Sequence, residues 1–281
     1  MKLSIITVNL NNAAGLKATL ESVAVQTCQE FEHIIIDGGS SDGSVPIIRS
    51  YEETIITNRF NGKTQYPLCS WVSEQDKGIY DGMNKGITRA TGEYVYFLNS
   101  GDTLTNNMII RNLLKELDSE DDIYAARINF TDANGKYHAD YQPRMQKLTL
   151  YHYLQSGVPH QAAVIKKTLF AQYGLYNLQY RIVADWEFFL RALVLHNATL
   201  RYIDETITNF DGTGLSSKQG SAMMREIDTV MHKSFAERVY DDYKWLLSVN
   251  GDIRRVEWLH HHPFAYKIVQ AIVAIGRKLS Q

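Results

Sequence analysis

Two cysteines, Cys28 and Cys69, are all that 281 residues contain, too few for a disulfide scaffold and too ordinarily spaced for a zinc site. Both are expected to be free, buried or half-buried thiols in a reducing compartment. An excess of one charge is missing too: 29 Lys and Arg stand against 31 Asp and Glu, which argues against a nucleic-acid footprint. The amino terminus has one Lys and then a short apolar strand that dissolves at Asn9, so it lacks the apolar core of a signal peptide. The most apolar tail, residues 263–279, is interrupted by Lys267 and Gln270 and does not read as a membrane span. Internal repeats and low-complexity tracts are absent as well. What remains is a near-neutral cytoplasmic chain, long enough for one large α/β domain or for such a domain with a helical appendage.

What the chain does have is a recurring design. Residues 94–98 form an apolar, aromatic run after the Thr91-Gly92 break and end in Asn99-Ser100-Gly101-Asp102. Residues 4–8 end likewise in Asn9-Leu10-Asn11-Asn12, followed by Leu16, Leu20 and Val23 at helical spacing. Residues 33–36 end in Asp37-Gly38-Gly39-Ser40-Ser41-Asp42-Gly43. Each reads as a strand delivering polar side chains from its carboxyl end, where open α/β sheets bind ligands. Asp102 is thus placed for a metal or a diphosphate; the competing reading makes it the cap of a helix marked by Leu104, Met108 and the Leu113, Leu114 and Leu117 series.

A further strand over 70–73 precedes Glu74-Gln75-Asp76-Lys77-Gly78, and Ile79, Met83 and Ile87 mark the next helix. On another face of it Asp81 and Lys85 form an i, i+4 pair, with Asn84 three residues from Asp81; a solvated helix face accounts for such a set equally well. Residues 121–130 read as a strand, with a hairpin turn at Asp132-Ala133-Asn134-Gly135. After Gly157-Val158-Pro159-His160-Gln161 comes a helix over 167–173. Then Trp186, Phe189, Leu190 and Leu193 recur at helical spacing and set Asp185 in a first turn, where the helix dipole favours its ionised form. An ionised Asp can accept a proton; a merely stabilising amino-terminal acid is the plainer alternative.

Taken in order, Ser4 to Asn11, Ile35 to Gly43, Ser73 to Asn84, Asn99 to Asp102 and Ala184 to Glu187 resemble a family 2 glycosyltransferase over roughly residues 3–215. The resemblance implies a GT-A fold: an α/β, Rossmann-like mixed central sheet flanked by helices. By that reading residues 1–216 form the catalytic domain, with a nucleotide-sugar-binding half (1–102) and an acceptor-binding half (103–216), and residues 217–281 a helical C-terminal extension. It also implies an inverting enzyme that uses Mg²⁺ or Mn²⁺ to move a sugar from a nucleoside diphosphate, first of all a UDP-sugar, to a carbohydrate or lipid-linked acceptor. Carried over by position, Thr7, Asn9 and Asp37 would line the nucleobase and ribose pocket, with Asp42, Asp76, Asn84 and Ser100 nearby. Asp102 would hold the metal and Asp185 would be the catalytic base. His160 and Gln161 would approach the diphosphate or the acceptor, and Trp186 could stack on an acceptor sugar. Two departures stand out: Asn99 or Ser100 replaces the leading acid of the family's metal motif, and Asp211 stands where a histidine often follows the base.

Beyond residue 217 the pattern turns helical, over 223–235, 239–249 and the tail. That tail suits a membrane surface, packing on the catalytic domain, or a second subunit. His260-His261-His262 read as an exposed loop. Two other classes compete with the transferase. A sugar nucleotidyltransferase would show a basic phosphate loop that Asn9 to Gly15 lacks, and a non-catalytic carbohydrate-binding relative would be free to lose Asp102 or Asp185.

Overall fold

The computed structural model describes residues 1–60, 68–117, 120–131, 137–139, 148–212 and 220–279. Residues Met1–Ile227 and Asp228–Gln281 form two compact units. The first is built on a mixed sheet. Strands β1 (Leu3–Asn9), β2 (Phe31–Asp37), β3 (Leu68–Ser73) and β4 (Tyr94–Phe97) run parallel in the order β3-β2-β1-β4. Beyond β4 the sheet turns antiparallel through β8 (Ala163–Lys166) to β6 (Ile123–Thr131), then continues through β9 (Leu200–Asp211) to the two-residue β5 (Thr103–Leu104). Strand β7 (Tyr137–Ala139) pairs with the far end of β6, and the turn expected at 132–135 lies outside the described residues.

The central strands are buried at every position, which is why apolar residues predominate in them without a strict alternation. Helix α1 (Ala13–Ala24) packs Leu16 and Leu20 against Ile35 and the Ile48, Tyr51 and Ile55 face of α2 (Ser44–Phe60). On the other side, β1 and β4 join Ile109, Ile110 and Leu113 of α4 (Ile109–Glu116) in the larger core.

Helix α3 (Ile79–Arg89) approaches the sheet through glycine. A Cβ at Gly86 would sit 2.4 Å from Ile6 Cγ2, and one at Gly82 would sit 2.8 Å from Val8 Cγ1. Gly86→Ala is therefore expected to lower stability by about 1–2 kcal/mol in urea unfolding, because the overlap outweighs the gain in helix propensity. An unchanged or raised midpoint would mean that the helix rides loosely on β1.

Two alternatives left open by the sequence fall away, and one helix changes character. Asp102 caps no helix: α4 starts at Ile109 behind Met108, and Leu104 belongs to β5. The Asp81 and Lys85 pair is no solvated face, since the Lys85 ammonium is held by Asp76, by Glu74 at 3.0 Å and by Asp81 at 3.5 Å. Burial would lower the Lys85 pKa, but these carboxylates raise it instead. The helix after Asp185, α7 (Ala184–Phe189), passes into a π-helical stretch at Leu190–Leu195. The expected helix over 167–173 is α6 (Thr168–Tyr173), and Cys28 and Cys69 are free and half-buried.

In the second unit the chain runs from the end of α8 (Gly220–Ser234) through α9 (Glu237–Ser248) and α10 (Asn250–His260) to α11 (Pro263–Leu279). Helix α10 carries no strong periodic signal and was not expected. His260 ends it, and the histidine triplet is exposed. No helix among the described residues is long and apolar enough to cross a membrane.

Candidate active site

Strand register gathers the first group of side chains. Asn9 pairs with Asp37 across β1 and β2, and Asp37 pairs with Ser73 across β2 and β3. Asn9 Nδ2 donates to Asp37 Oδ1 at 2.8 Å, while the Ser73 hydroxyl and the Ser40 N–H donate to Asp37 Oδ2 at 2.6 and 2.9 Å. Burial alone would raise the Asp37 pKa; the donations from Ser40, Ser73 and Asn9 overcome it and hold the carboxyl below its ordinary range. Asp42 accepts from the Ser44 hydroxyl and from the Ala13 N–H at the start of α1, and the Ser44 bond leads in holding its pKa down. Asp76 lies against the close approach of Gly38 and Gly82 and takes the Lys85 ammonium.

Two of the nucleotide-pocket candidates have their polar atoms engaged within the protein. Thr7 is fully buried, donating to the Leu98 carbonyl at 2.8 Å and contacting His33 Nε2 at 3.0 Å. Asn84 uses both ends of its amide on the Tyr176 backbone.

After β4 the chain keeps its place beside β1 through two more hydrogen bonds, from Leu98 N–H to the Ile6 carbonyl and from Ser100 N–H to the Val8 carbonyl. It then turns at Gly101, whose φ of 107° lies in a region that L side chains rarely adopt. Thr19 of α1 pins that turn: its hydroxyl accepts the Gly101 N–H at 3.0 Å and donates to the Asp102 carbonyl at 2.7 Å. Asn12, the cap of α1, donates to the Ser100 carbonyl at 3.0 Å. Asp102 is thereby held at 4% exposure, accepting the Asp211 N–H at 3.1 Å. Desolvation pushes its carboxyl up to about 7, against the pull of the Asp211 N–H and the charge of His160.

His160 stands in a 3₁₀ turn ahead of β8 and contacts Asp185 of α7. Its Nδ1 lies 2.6 Å from Asp185 Oδ2, and the Tyr80 hydroxyl of α3 lies 2.7 Å from Asp185 Oδ1. Burial would raise the Asp185 pKa, but the His160 charge and the donations from His160, Tyr80 and the Trp186 N–H hold it down. His160 is shifted the other way: burial would lower its pKa, and Asp185 and Asp102 raise it. Asp102 and Asp185, 83 positions apart in a chain read strictly in order, therefore act on one imidazole. Trp186 is half-buried and packs on Tyr153 with ring centres 5.2 Å apart, while the backbone carbonyl of Gln161 accepts from Thr208 at 2.6 Å.

Three positioning residues escaped the sequence reading. Glu226 of α8 accepts the N–H groups of Arg181, Ile182 and Val183 at 2.9–3.2 Å and so sets the approach to Asp185. Thr19 and Tyr80 are the others; Tyr80 lies within the Ser73 to Asn84 stretch, but nothing local marks its hydroxyl as a partner of Asp185. Asn9 Oδ1, Asn99 Oδ1 and His160 Nε2 are buried without a hydrogen-bond partner, all at or beyond strand ends facing the loops. Unpaired buried polar atoms are rare, and these three near strand ends suit a polar ligand.

A mixed sheet whose parallel strands deliver carboxylates and amides from their carboxyl ends, backed by an antiparallel half, is the GT-A arrangement. The profile described as Glycosyl transferase family 2 matches residues 4–171, and the chain belongs to that family. It is 31% identical over 278 residues to an uncharacterized glycosyltransferase of Mycobacterium tuberculosis, covering 98% of this chain and 90% of that protein. It is 29% identical to a PGL/p-HBAD biosynthesis glycosyltransferase of Mycobacterium bovis, over 84% of this chain and 83% of the relative. Among solved structures it resembles S. aureus TarS 1-349 in complex with UDP, with a TM-score of 0.63, 19% identity and coverage of 86% and 69%. The chain spans 42% of the longer TarS structure. The mannosyltransferase PcManGT of Pyrobaculum calidifontis, in complex with GDP-Man and Mn²⁺, matches with a TM-score of 0.59 at 13% identity, over 83% and 64% of the two chains.

Proposed function

We propose that this glycosyltransferase is an inverting, cation-dependent hexosyltransferase that moves a sugar from a nucleoside diphosphate to an acceptor hydroxyl in glycan assembly. The observation that carries the reading is the largely buried Asp185–His160 pair at 2.6 Å, whose imidazole also feels the charge of Asp102. Residues 1–102 would take the nucleotide, with Asn9, Asp37, Asp42, Asp76 and Ser100 around it, and residues 103–216 the acceptor. Asn84 and Thr7 would act by bracing that half rather than by touching the donor. The relatives bound to UDP and to GDP-Man support a nucleotide-sugar donor, with a UDP-sugar the first to try. The named role of the mycobacterial relative supports a biosynthetic setting.

A divalent cation fits the residues present. Asp102 is a buried oxygen ligand whose ionisation calls for positive charge, and a Cβ at Gly101 would meet the Asp211 carboxylate at 3.1 Å. Hard oxygen donors suit Mg²⁺ or Mn²⁺. No trio of acidic, His or Cys side chains among the described residues could hold an ion by itself, so the donor's phosphate oxygens would complete its shell. Held by Asp102, such a cation would supply positive charge against that building on the departing diphosphate. Asp185, kept ionised by His160 and Tyr80, removes the acceptor proton as the new bond forms. Trp186 and Gln161 would border the acceptor.

Thermal shift tests the donor half. UDP-sugars with Mn²⁺ at about a hundredfold excess over Kd should raise Tm by roughly 5 °C or more. Asp102→Asn should lose the Mn²⁺-dependent part of that rise. Full retention of it would remove Asp102 as the ligand.

A further inference from the structure

Helix α11 has an apolar side that nothing among the described residues covers. Phe264, Ile272 and Ile275 are 80, 62 and 60% exposed, and Ile268, Val269 and Val273 are exposed with them. At about 100° per residue, these side chains spread over roughly 180° of the helix circumference. The remaining arc carries Lys267, Gln270 and Arg277, and the helix contains no acidic residue. We propose that α11 lies flat on an anionic phospholipid surface, with its apolar side among the acyl chains and its cationic arc at the headgroups.

Two features favour lipid over a second copy of this chain. A pairing helix needs a narrow apolar seam, whereas a helix half sunk in a bilayer boundary needs a broad one. The flanking charge is of one sign, which complements anionic headgroups and would repel its own copy across a symmetric contact. Seventeen residues make about 25 Å of helix, short of the ~30 Å hydrocarbon core, so the helix rests on the surface. Trp258 of α10, 55% exposed, adds a side chain that favours the membrane–water boundary.

The inference is independent of the transfer reaction, and its test contains no nucleotide sugar. The full chain is sedimented with vesicles of equimolar phosphatidylglycerol and phosphatidylcholine, and with vesicles of phosphatidylcholine alone. Binding to the anionic vesicles should be at least tenfold tighter and should weaken with added salt. Ile268→Glu/Ile272→Glu should reduce it at least tenfold, with circular dichroism and Tm unchanged because both positions are exposed. Lys267→Glu/Arg277→Glu should abolish the preference for anionic lipid. The proposal is overturned if the chain ignores both vesicle types or if the Ile pair leaves binding intact. It is equally overturned if light scattering shows a lipid-free dimer that the Ile pair dissociates, which would make this face a subunit interface.

Discussion

Asp185→Asn is expected to lower kcat by about 10²–10⁴-fold while leaving donor affinity within about threefold. Asn keeps the shape and can still accept from Tyr80 or His160, but it cannot take the acceptor's proton. Because the Tyr80 hydroxyl helps hold the carboxyl ionised at 2.7 Å, Tyr80→Phe should cost less and shift the acidic limb of the kcat profile to higher pH. A residue that only shaped the fold would move Tm and not that limb. Measured turnover in Asp185→Asn near the wild-type rate would take the base role from Asp185 and leave the Asp102 proposal standing.

The second large effect is on acid stability and comes from His33. Thr7 has one hydroxyl hydrogen, given to Leu98, so it accepts from His33 Nε2–H; His33 Nδ1 then accepts from the Tyr51 hydroxyl at 3.0 Å. The ring is neutral and fully buried, and desolvation drops its pKa from 6.5 to about 3. The unfolded chain therefore binds a proton that the folded chain refuses. Stability from this group is complete above pH 6.5 and drains away as pH falls toward 3. The loss should be about 2 kcal/mol at pH 5 and about 4 kcal/mol at pH 3.5. Urea unfolding from pH 7.5 to 4 should show that slope, and His33→Gln, which offers a donor and an acceptor without a charge change, should flatten it by close to one proton. Equal slopes in the two proteins would place the acid sensitivity elsewhere.

Much of this site was legible before any coordinates, because its elements announce themselves locally. The strands that lead toward Asn9, Asp37 and Asp102 are largely apolar runs closed by polar turns, and those turns carry the candidate side chains. What stays illegible is equally specific. Lys85 reads as half of a surface pair since Asp81 is its sequence neighbour, while Glu74 and Asp76 reach it only in the folded chain. The internal hydrogen bonds of Thr7 to Leu98 and of Asn84 to Tyr176 depend on which way each side chain faces, which motif position does not give. Glu226 had no motif at all; its three N–H partners are more than 40 residues away.

Hydrophobic period and turn chemistry, both properties of a few adjacent residues, were enough to determine the α/β class, the strand ends and the acids and amides at them. Which groups those acids engage was decided only by the folded chain, through the β1–β2–β3 register and the contact between His160 and Asp185. The same holds for their charge states, since desolvation and donated hydrogen bonds have no existence until distant segments pack together.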